Sequence, residues 1–331
     1  MPTFPIPVFE FPSLILTKII CLTDPDALVR LALCSQRMHH AVKRENRKFS
    51  QSCELHVVAG DHQLVSIRKN GHDYTVLNAT SFENGNYDLI TIRLRGQRVT
   101  AGMLDEVFTT YWDDPVFGYR QVREFLFDLF NLDITTIFFC NASIWLLEWM
   151  NSLQTPVPKI QAYEERLSAE DYQFLISTCK AEELHHKAIP PADFYHVEAF
   201  LPRTFLRIEH GLWLQTEHFL RMDCVEIYVI ESNLDSSHLN ILLKHWVGGG
   251  FARLRILWIR TRVPLVQNII FHPLESKITL VGREREYITR HETNQIIPGN
   301  TMDIKRNDGR VASVKIVAHG VAFLVWPDYS A

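Results

Sequence analysis

The side chains of this chain that could hold a metal are its two adjacent histidine pairs, His39-His40 and His185-His186. Imidazole is a common zinc ligand. Neighbouring residues point to different sides of a helix or strand, however, and neither pair has a cysteine or a third histidine at ligand spacing. We therefore expect no metal site and interpret these histidines as surface or partly buried residues.

The cysteines predict free thiols rather than a disulfide framework. None of them forms a Cys-x-x-Cys pair and most have apolar neighbours, as is typical of a reducing compartment. Cys34 lies in an apolar helical pattern and is predicted to be buried and unreactive. The six cysteines are Cys21, Cys34, Cys53, Cys140, Cys179 and Cys224.

Motifs of common active sites are missing from the sequence. It has no Gly-x-Ser-x-Gly, no Gly-x-x-x-x-Gly-Lys and no strand-led Gly-x-Gly-x-x-Gly. Gly248-Gly249-Gly250 follows a helical pattern, whereas a phosphate loop precedes a helix. We expect no catalysis and no cofactor, and an α/β enzyme with an unrecognised site is the less favoured alternative.

Charge and hydropathy narrow the possible partners. The 331 residues carry a net charge of −4, so no global positive field attracts nucleic acid. No cationic leader precedes an apolar run, and no apolar run reaches the roughly 18 to 20 residues of a membrane span. The expectation is a cytoplasmic or nuclear protein without nucleic-acid or membrane partners.

One region is nevertheless locally basic. Arg253, Arg255, Arg260 and Arg262 fall close together around a predicted strand. Such runs are usually solvated faces, and a charged partner is the alternative. Two tryptophans of the same region, Trp246 and Trp258, could be binding anchors or core residues.

The first fifty residues predict three short helices. Pro12 fits the first turn of a helix over Ser13–Leu22, since its missing N–H would be unpaired there. Asp24 can cap a second helix, whose first position suits Pro25, and a third helix follows Ser35. The segment is too short to hold a core alone, so it favours a docking surface, with a helical cap on a downstream domain as the alternative.

This segment resembles an F-box, the helical module that docks on the Skp-type adaptor of cullin-containing ubiquitin ligases. Phe11-Pro12 matches its opening Leu-Pro, and Leu22-Thr23-Asp24-Pro25 matches its Leu-x-Asp-Pro turn. Phe11 in place of leucine and Met38 in place of tryptophan are apolar changes of workable size. Further matches are Leu14, Ile19, Leu28, Leu31, Leu33, Cys34, Ser35 and Arg37.

The resemblance implies an apolar contact between the first two helices and the adaptor. It also implies a cullin scaffold and a protein substrate of unknown identity as partners. The residues expected to bind the adaptor are Phe11, Pro12, Leu14, Ile19, Leu22, Leu28 and Leu31.

Residues 53 to about 99 predict a small antiparallel β meander. Apolar and polar residues alternate there, and turn signals at Gly60-Asp61, Asn70-Gly71 and Glu83–Gly85 separate the runs. A helix is predicted over Arg120–Asn131, where apolar residues recur on one face.

Strand and helix patterns alternate through the next part of the chain. Helices are predicted at Ser143–Leu153, Ser168–Cys179 and Ser236–Val247, the last with Ser236 as its N-cap. A spacing of about 20 to 29 residues per unit is typical of a leucine-rich-repeat solenoid. A single α/β layer is the alternative. The strands are predicted to start near Ile134, Lys159, Glu182, Phe205, Val225 and Leu254.

The carboxy-terminal region carries a second resemblance. Residues 239–250, which read Leu-Asn-Ile-Leu-Leu-Lys-His-Trp-Val-Gly-Gly-Gly, and the following Leu254–Leu257 look like the F-box-associated domain, type 2, of the expanded nematode F-box families. Thr301–Arg306 and Val311–Ile316 predict a hairpin around Asp308-Gly309, similar to the Arg-x-Asp-Gly hairpin of that domain. The resemblance implies that this domain holds the substrate, through residues that no motif defines.

Together these patterns predict a mixed α+β and α/β chain in three parts. An F-box over residues 5–50 precedes a β-rich region at 51–118, and an F-box-associated, leucine-rich-repeat-like domain over 119–331 ends in a β-hairpin. The expected function is substrate recognition for an SCF-type ubiquitin ligase. A scaffold that binds the adaptor outside a ligase is the alternative.

Overall fold

The structure is a computed structural model that describes residues 8–45, 47, 49, 51–59, 64–81, 88–139, 144–152, 157–163, 167–195, 200–289, 295–299 and 301–327. The chain forms two compact units, Met1–Leu146 and Leu147–Ala331. Three helices open the first unit, and strands with further helices follow, which is an α+β architecture.

The first helix has the predicted bounds, and the second and third helices begin where they were predicted to begin. Pro25 is the first residue of α2, but Asp24 makes no capping hydrogen bond with its side chain. Ser35 caps α3 with its hydroxyl, which accepts a hydrogen bond from the Met38 N–H at 3.4 Å. The helices are α1 (Ser13–Leu22), α2 (Pro25–Cys34) and α3 (Gln36–Arg44), preceded by a 3-10 turn at Val8–Glu10.

Strands of the first unit lie side by side in the order β7-β1-β2-β3-β6-β5-β4. β2 and β3 meet at Asn70-Gly71, whose φ angles of 53° and 82° suit the type I′ turn that the Asn-Gly signal predicts. The strands are β1 (Cys53–Ala59), β2 (Leu64–Lys69), β3 (His72–Thr80), β4 (Ile90–Leu94), β5 (Gln97–Leu104), β6 (Val107–Tyr111) and β7 (Ile134–Phe139).

The predicted antiparallel meander is confirmed for β1, β2 and β3 and is wrong beyond them. β3 pairs in parallel with β6, and β1 pairs in parallel with β7. Alternating apolar residues identify a strand but do not specify its neighbour, because the period of two is the same for either direction. The turn signals at Gly60-Asp61 and Glu83–Gly85 lie outside the described residues.

The helix predicted over Arg120–Asn131 begins earlier in the structure than expected. α4 (Pro115–Phe130) begins at Pro115 rather than Arg120. The Asp114 carboxylate accepts hydrogen bonds from the N–H groups of Val116 (2.9 Å) and Phe117 (3.2 Å). An Asp-Pro pair is a start signal for a helix, so the sequence contained the information that the apolar period alone did not show.

Parallel strands lie next to one another in chain order in the second unit. Their starts fall within two residues of the predicted ones. These strands are β8 (Lys159–Ala162), β9 (Glu183–His186), β10 (Arg203–Ile208), β11 (Cys224–Ser232) and β12 (Ile256–Thr261). The helices that alternate with strands are α5 (Ile144–Ser152), α6 (Ala169–Ser177), α7 (Thr216–Leu220), α8 (Ser236–Val247) and α9 (Gln267–Phe271).

The cap of α8 differs from the prediction by one residue. Asp235, not Ser236, is the N-cap, and its carboxylate accepts hydrogen bonds from the N–H groups of Ser237 (2.9 Å) and His238 (3.0 Å). The chain leaves the helix through the glycine run as predicted, with φ of 107° at Gly249. Serine and aspartate are both good caps, so their adjacency leaves the exact start open in sequence.

Antiparallel strands complete the second unit. β12 pairs with β18 (Gly320–Val325), followed across the sheet by β17 (Val311–Val317), β16 (Thr301–Lys305) and β13 (Ile278–Val281). The predicted hairpin is β16–β17, with Gly309 at φ 96° in its turn. A separate hairpin joins β14 (Arg285–Tyr287) to β15 (Gln295–Ile297).

Different elements pack on the two faces of this sheet. On one face Trp246 of α8 packs edge-on against Phe323, with ring centroids 4.8 Å apart. On the other face the β14–β15 hairpin contributes Tyr287 and Ile297 to an apolar cluster. The sheet residues of that cluster are Phe205, Tyr228, Ile256 and Leu324.

The leucine-rich-repeat-like interpretation stays a prediction. Parallel strands in chain order fit stacked strand–helix units, but no helix lies among the described residues between β9 and β10. The predicted domain bounds of 5–50, 51–118 and 119–331 also stay predictions. The first compact unit continues to Leu146.

Candidate adaptor-binding surface

α1 turns an apolar face towards solvent. At about 100° per residue, Leu14, Ile15, Lys18, Ile19 and Leu22 fall within an arc of about 140°. The exposed fractions of the four apolar side chains are 68%, 44%, 37% and 82% in chain order. A contiguous exposed apolar face is typical of an interaction site. We call these four residues with Phe11 and Leu31 the apolar face.

The other side of α1 packs into the first unit. Leu16 and Ile20 lie one turn apart on this side and are buried. The Thr17 hydroxyl donates a hydrogen bond to the Glu45 carboxylate at 3.0 Å. These contacts determine which side of α1 is left for a partner.

The carboxy-terminal end of α1 is held by a lysine of the sheet. The Lys69 ammonium on β2 donates hydrogen bonds to the carbonyl oxygens of Cys21 (3.1 Å) and Thr23 (3.3 Å). Carbonyls at a helix end lack partners within the helix, and a cation there also interacts favourably with the helix dipole. Lys69 therefore fixes the position of Leu22 at the end of the apolar face.

Most of the predicted adaptor residues are exposed, and one is not. Leu28 is 1% exposed and packs inward with Val29 and Ala32 on α2, so it lies in the core of the helices. Its position in an apolar stripe three residues before Leu31 could not separate the two in sequence. The exposed residues of the predicted set are Phe11, Pro12, Leu14, Ile19, Leu22 and Leu31.

Sequence reasoning omitted Ile15 from the set. Ile15 is exposed and lies about 20° from Leu22 around the helix axis, seven residues earlier. This heptad spacing was the signal that could have found it. Met38, one of the two departures from the F-box pattern, is buried within α3 and does not contribute to the apolar face.

The first predicted histidine pair takes part in a polar contact, not in a metal site. The His39 ring lies 3.0 Å from one oxygen of Asp128 on α4, and the Lys43 ammonium bonds the other oxygen. Partial burial opposes ionisation of Asp128, but the hydrogen bonds from Lys43 and His39 lower its pKa overall. Within the described ranges, no group of three or more His, Cys, Asp or Glu side chains is placed to hold a metal ion.

Cys34 is exposed, so the prediction of a buried thiol is wrong there. It lies three residues after Leu31 on the outward side of α2, which the local apolar composition did not show. Cys53, Cys179 and Cys224 are buried free thiols as predicted, and burial raises the pKa of the last two to about 11. Cys140 lies outside the described residues.

The basic run of the second unit lies at the surface. Arg253, Arg255, Arg260 and Arg262 are all exposed. Trp246 is 1% exposed and belongs to the core, whereas Trp258 is half-buried. In the part of the chain that the structure covers, no helix is long and apolar enough to cross a membrane.

Two protein families match this chain. The sequence model of the F-box domain matches residues 8–50, which include α1, α2 and α3. The model described as F-box associated matches residues 196–259, which include β10, β11, α8 and most of β12. The chain is therefore an F-box protein with a carboxy-terminal F-box-associated domain.

The second match covers only part of the segment that carried the resemblance in sequence. It includes the His-Trp-Gly-Gly stretch and ends at residue 259, before the hairpin at Asp308-Gly309. No curated protein and no solved structure matches the chain significantly. F-box and F-box-associated domains together indicate, in general, an adaptor role in substrate recognition rather than an enzyme.

Proposed function

We propose that this chain is the substrate-recognition subunit of an SCF-type cullin ubiquitin ligase. In this role the F-box docks on the Skp-type adaptor, and the carboxy-terminal domain binds a target protein. The chain acts by tethering. Holding the target near the ubiquitin-loaded enzyme raises its effective concentration and makes the encounter nearly intramolecular.

The apolar face of α1 carries this proposal. Six of the large apolar side chains left exposed in the described chain lie between residues 11 and 31, all of them on the apolar face. Removing one large aliphatic side chain from water stabilises a complex by about 1.5–3 kcal/mol when the side chain starts fully exposed. A partner with an apolar groove therefore gains several such contributions from one short helix.

Two substitutions on α1 test the adaptor contact. Leu14→Asp with Leu22→Asp places two charges on the face without entering the core, because both side chains are mostly exposed. We expect the full-length double variant to bind the purified Skp-type adaptor at least about 100-fold more weakly by calorimetry, since two buried carboxylates would have no partner. Undiminished binding would contradict the assignment.

A matched control makes the same chemical change elsewhere. Ile241→Asp on α8 and Leu280→Asp on β13 also convert exposed apolar residues, 45% and 62% exposed, to charged ones. The control should bind the adaptor like the unmodified chain, and both double variants should keep its unfolding temperature. Loss of binding in the control as well would show that added charge, and not the α1 face, causes the effect.

A pull-down with the adaptor and the cullin together tests the ligase role. Capture of both proteins, lost in the α1 variant, supports the ligase subunit. Capture of the adaptor without the cullin contradicts that role and favours a scaffold that works outside a ligase.

A further inference from the structure

A groove runs along β18 on the sheet face away from α8. Cross-strand pairing places Trp258 of β12, Ala322 of β18 and Lys315 of β17 in one row. The neighbouring row on the same face holds Arg260, Gly320 and Val317. Large side chains on β12 and β17 therefore flank the two small residues of β18, and the space between them measures about 290 Å³.

The small residues of β18 keep this groove open. A Cβ atom added to Gly320 would come within 3.2 Å of the Ile259 carbonyl oxygen and 3.4 Å of Val317 Cγ2. Leu324 of β18 and Ile297 of β15, both buried, line the groove as well. The bottom of the groove and part of its lining are thus apolar. The long side chains of Arg260 and Lys315 lie at its two sides.

Two cationic side chains and a histidine line the groove. Arg260, Lys315 and His319 belong to its lining, and none of these side chains makes a hydrogen bond or ion pair in the described structure. No acidic side chain is among the described lining residues. A site that holds cations without anions complements a negatively charged ligand.

Other arginines of the same unit differ in this respect. Arg253 is paired with Asp223 at 3.3 Å, and Arg285 is paired with Asp303 at 2.7 Å. Arg260 and Lys315 therefore differ from Arg253 and Arg285 in having no acidic partner in the described structure.

Trp258 adds an apolar contact beside these charges. Its ring is half-buried and lies 6.4 Å from the ring of Tyr228, between centroids. Tryptophan and arginine are both enriched among the residues that contribute most to binding at protein interfaces. Both edges of β18 are already paired, with β12 and β17, so a peptide would be recognised through its side chains and not as an added strand.

We propose that this groove binds an acidic peptide segment of the target protein. Carboxylates of the segment pair with Arg260 and Lys315, and an apolar side chain between them lies on Trp258 over Ala322. The inference rests on the proposed function, because it assigns the substrate class to the carboxy-terminal domain of a substrate-recognition subunit.

Fluorescence anisotropy with labelled peptides tests the charge preference. The probe is a peptide of about eight alternating Glu and Leu residues, and the comparison peptides replace Glu by Gln or by Lys. The full chain should bind the Glu peptide most tightly and the Lys peptide least. Binding should weaken in about 0.3 M sodium chloride, since salt screens exposed charges. Equal binding of all three peptides would overturn the proposal.

Two variants locate the binding to the groove. Arg260→Gln with Lys315→Gln should weaken binding of the Glu peptide about tenfold, because two exposed charge pairs are lost. Ala322→Leu fills the groove without changing any charge and should reduce binding of the Glu and Gln peptides alike. If neither variant changes the affinity, the groove is not the site.

A control removes the same number of charges elsewhere in the unit. Lys244→Gln with Lys305→Gln changes two exposed lysines that do not line the groove, and it should leave the affinity for the Glu peptide unchanged. An equal loss in this control would show a general charge effect and overturn the assignment. Adaptor binding measured on the same samples separates the two proposals. Groove variants that lose the peptide should still bind the adaptor, and α1 variants should still bind the peptide.

Discussion

α1 and α8 are short helices of ten and twelve residues. α1 exposes most of its large apolar side chains to solvent, whereas α8 buries most of its own. α1 buries only Leu16 and Ile20 and exposes four leucine and isoleucine side chains to solvent. Among its apolar side chains α8 exposes only Ile241. The apolar side chains that it buries against its sheet are Leu239, Leu242, Leu243, Trp246 and Val247. Both helices are rich in leucine and isoleucine, so composition does not distinguish the binding helix from the core helix.

The amino-terminal ends of the two helices also differ, because only α8 has a side-chain cap. Asp235 caps α8 with its carboxylate, and the His238 ring completes a capping box by accepting a hydrogen bond from the Asp235 N–H at 3.2 Å. Pro12 stands at the start of α1 and makes no side-chain cap. α8 is thus stabilised by its amino-terminal cap and by the apolar side chains that it buries, whereas α1 depends on the few side chains of its one buried side. The comparison predicts that substitutions in the second unit cost stability and substitutions on the α1 face cost binding.

The largest loss of stability is expected from Trp246→Ala. The side chain is 1% exposed and packs on Phe323, so its removal leaves a cavity between α8 and the sheet. We expect the free energy of unfolding to fall by about 3–5 kcal/mol in chemical denaturation. Ile241→Ala, on the exposed side of the same helix, should change it by less than about 0.5 kcal/mol. A similar loss in both variants would contradict the buried role of Trp246.

Arg203 should have the next largest effect. Its buried guanidinium donates hydrogen bonds to the carbonyl oxygens of Leu175 (2.9 Å), Ile176 (3.3 Å), Cys179 (2.9 Å) and Ala181. Arg203→Met keeps a long side chain but leaves these carbonyls at the end of α6 without a donor. Chemical denaturation should show a loss of about 3 kcal/mol.

A lysine variant provides the control for Arg203. Arg203→Lys restores the charge but not the planar fork of donors, so it should recover only part of the loss. Full recovery by lysine would mean that charge alone, and not the set of hydrogen bonds, stabilises this helix end.

A pH effect of intermediate size is expected at His186. Both ring nitrogens lack a hydrogen-bond partner in the described structure, and the ring lies 4.1 Å from the Tyr172 ring, between centroids. Burial, with the charges of Arg203 and His210, lowers the pKa of His186 to about 3. The unfolded chain binds a proton near pH 6.5 and the folded chain does not, so stability decreases as the pH falls from about 6.5 towards 3.

Denaturation at two pH values measures this effect. Because of His186, the free energy of unfolding should be about 2 kcal/mol lower at pH 5 than at pH 7.5. His186→Phe keeps a ring of similar shape without a titrating group, so this part of the pH dependence should disappear. A phenylalanine variant with an unchanged pH dependence would place the proton uptake elsewhere.

The helix cap of α8 should have a smaller effect. Asp235→Ala removes the acceptor for the N–H groups of Ser237 and His238 and should cost about 1 kcal/mol. Asp235→Asn keeps the acceptor and should cost less. Equal losses in the two variants would show that the charge of Asp235, and not its capping bond, is the stabilising feature.

The smallest change in stability is expected on α1. Leu22→Asp changes a side chain that is 82% exposed, so the free energy of unfolding should shift by less than about 0.5 kcal/mol. A loss as large as that of Trp246→Ala would remove the distinction between the two helices.

Much of the local structure could be predicted from the sequence. Pro25 and the Asn70-Gly71 turn fix their elements through backbone preferences that act within a few residues. The strands of the second unit were predictable for a similar reason, because short apolar runs bounded by polar and helical segments differ from their surroundings. The F-box followed from the resemblance of motifs such as Phe11-Pro12 and Leu22-Thr23-Asp24-Pro25 to the family pattern, and the family model matches residues 8–50.

Other features depend on partners that are distant in sequence. Leu28 and Leu31 are equivalent in an apolar pattern, and only the packing of α2 buries the first and exposes the second. The groove along β18 joins residues of β12, β17 and β18, and the small size of Gly320 and Ala322 has meaning only beside those neighbours.

The sequence by itself determined where α1, α2 and α3 begin and, to within two residues, where the parallel strands begin. These properties arise from short-range backbone conformation and from the periodicity of apolar residues. The tertiary structure decided which apolar side chains stay in solvent, that β3 pairs in parallel with β6, and that Arg260 and Lys315 flank one groove without an acidic partner. Exposure and strand pairing depend on contacts between distant segments, and a local pattern of residues does not contain those contacts.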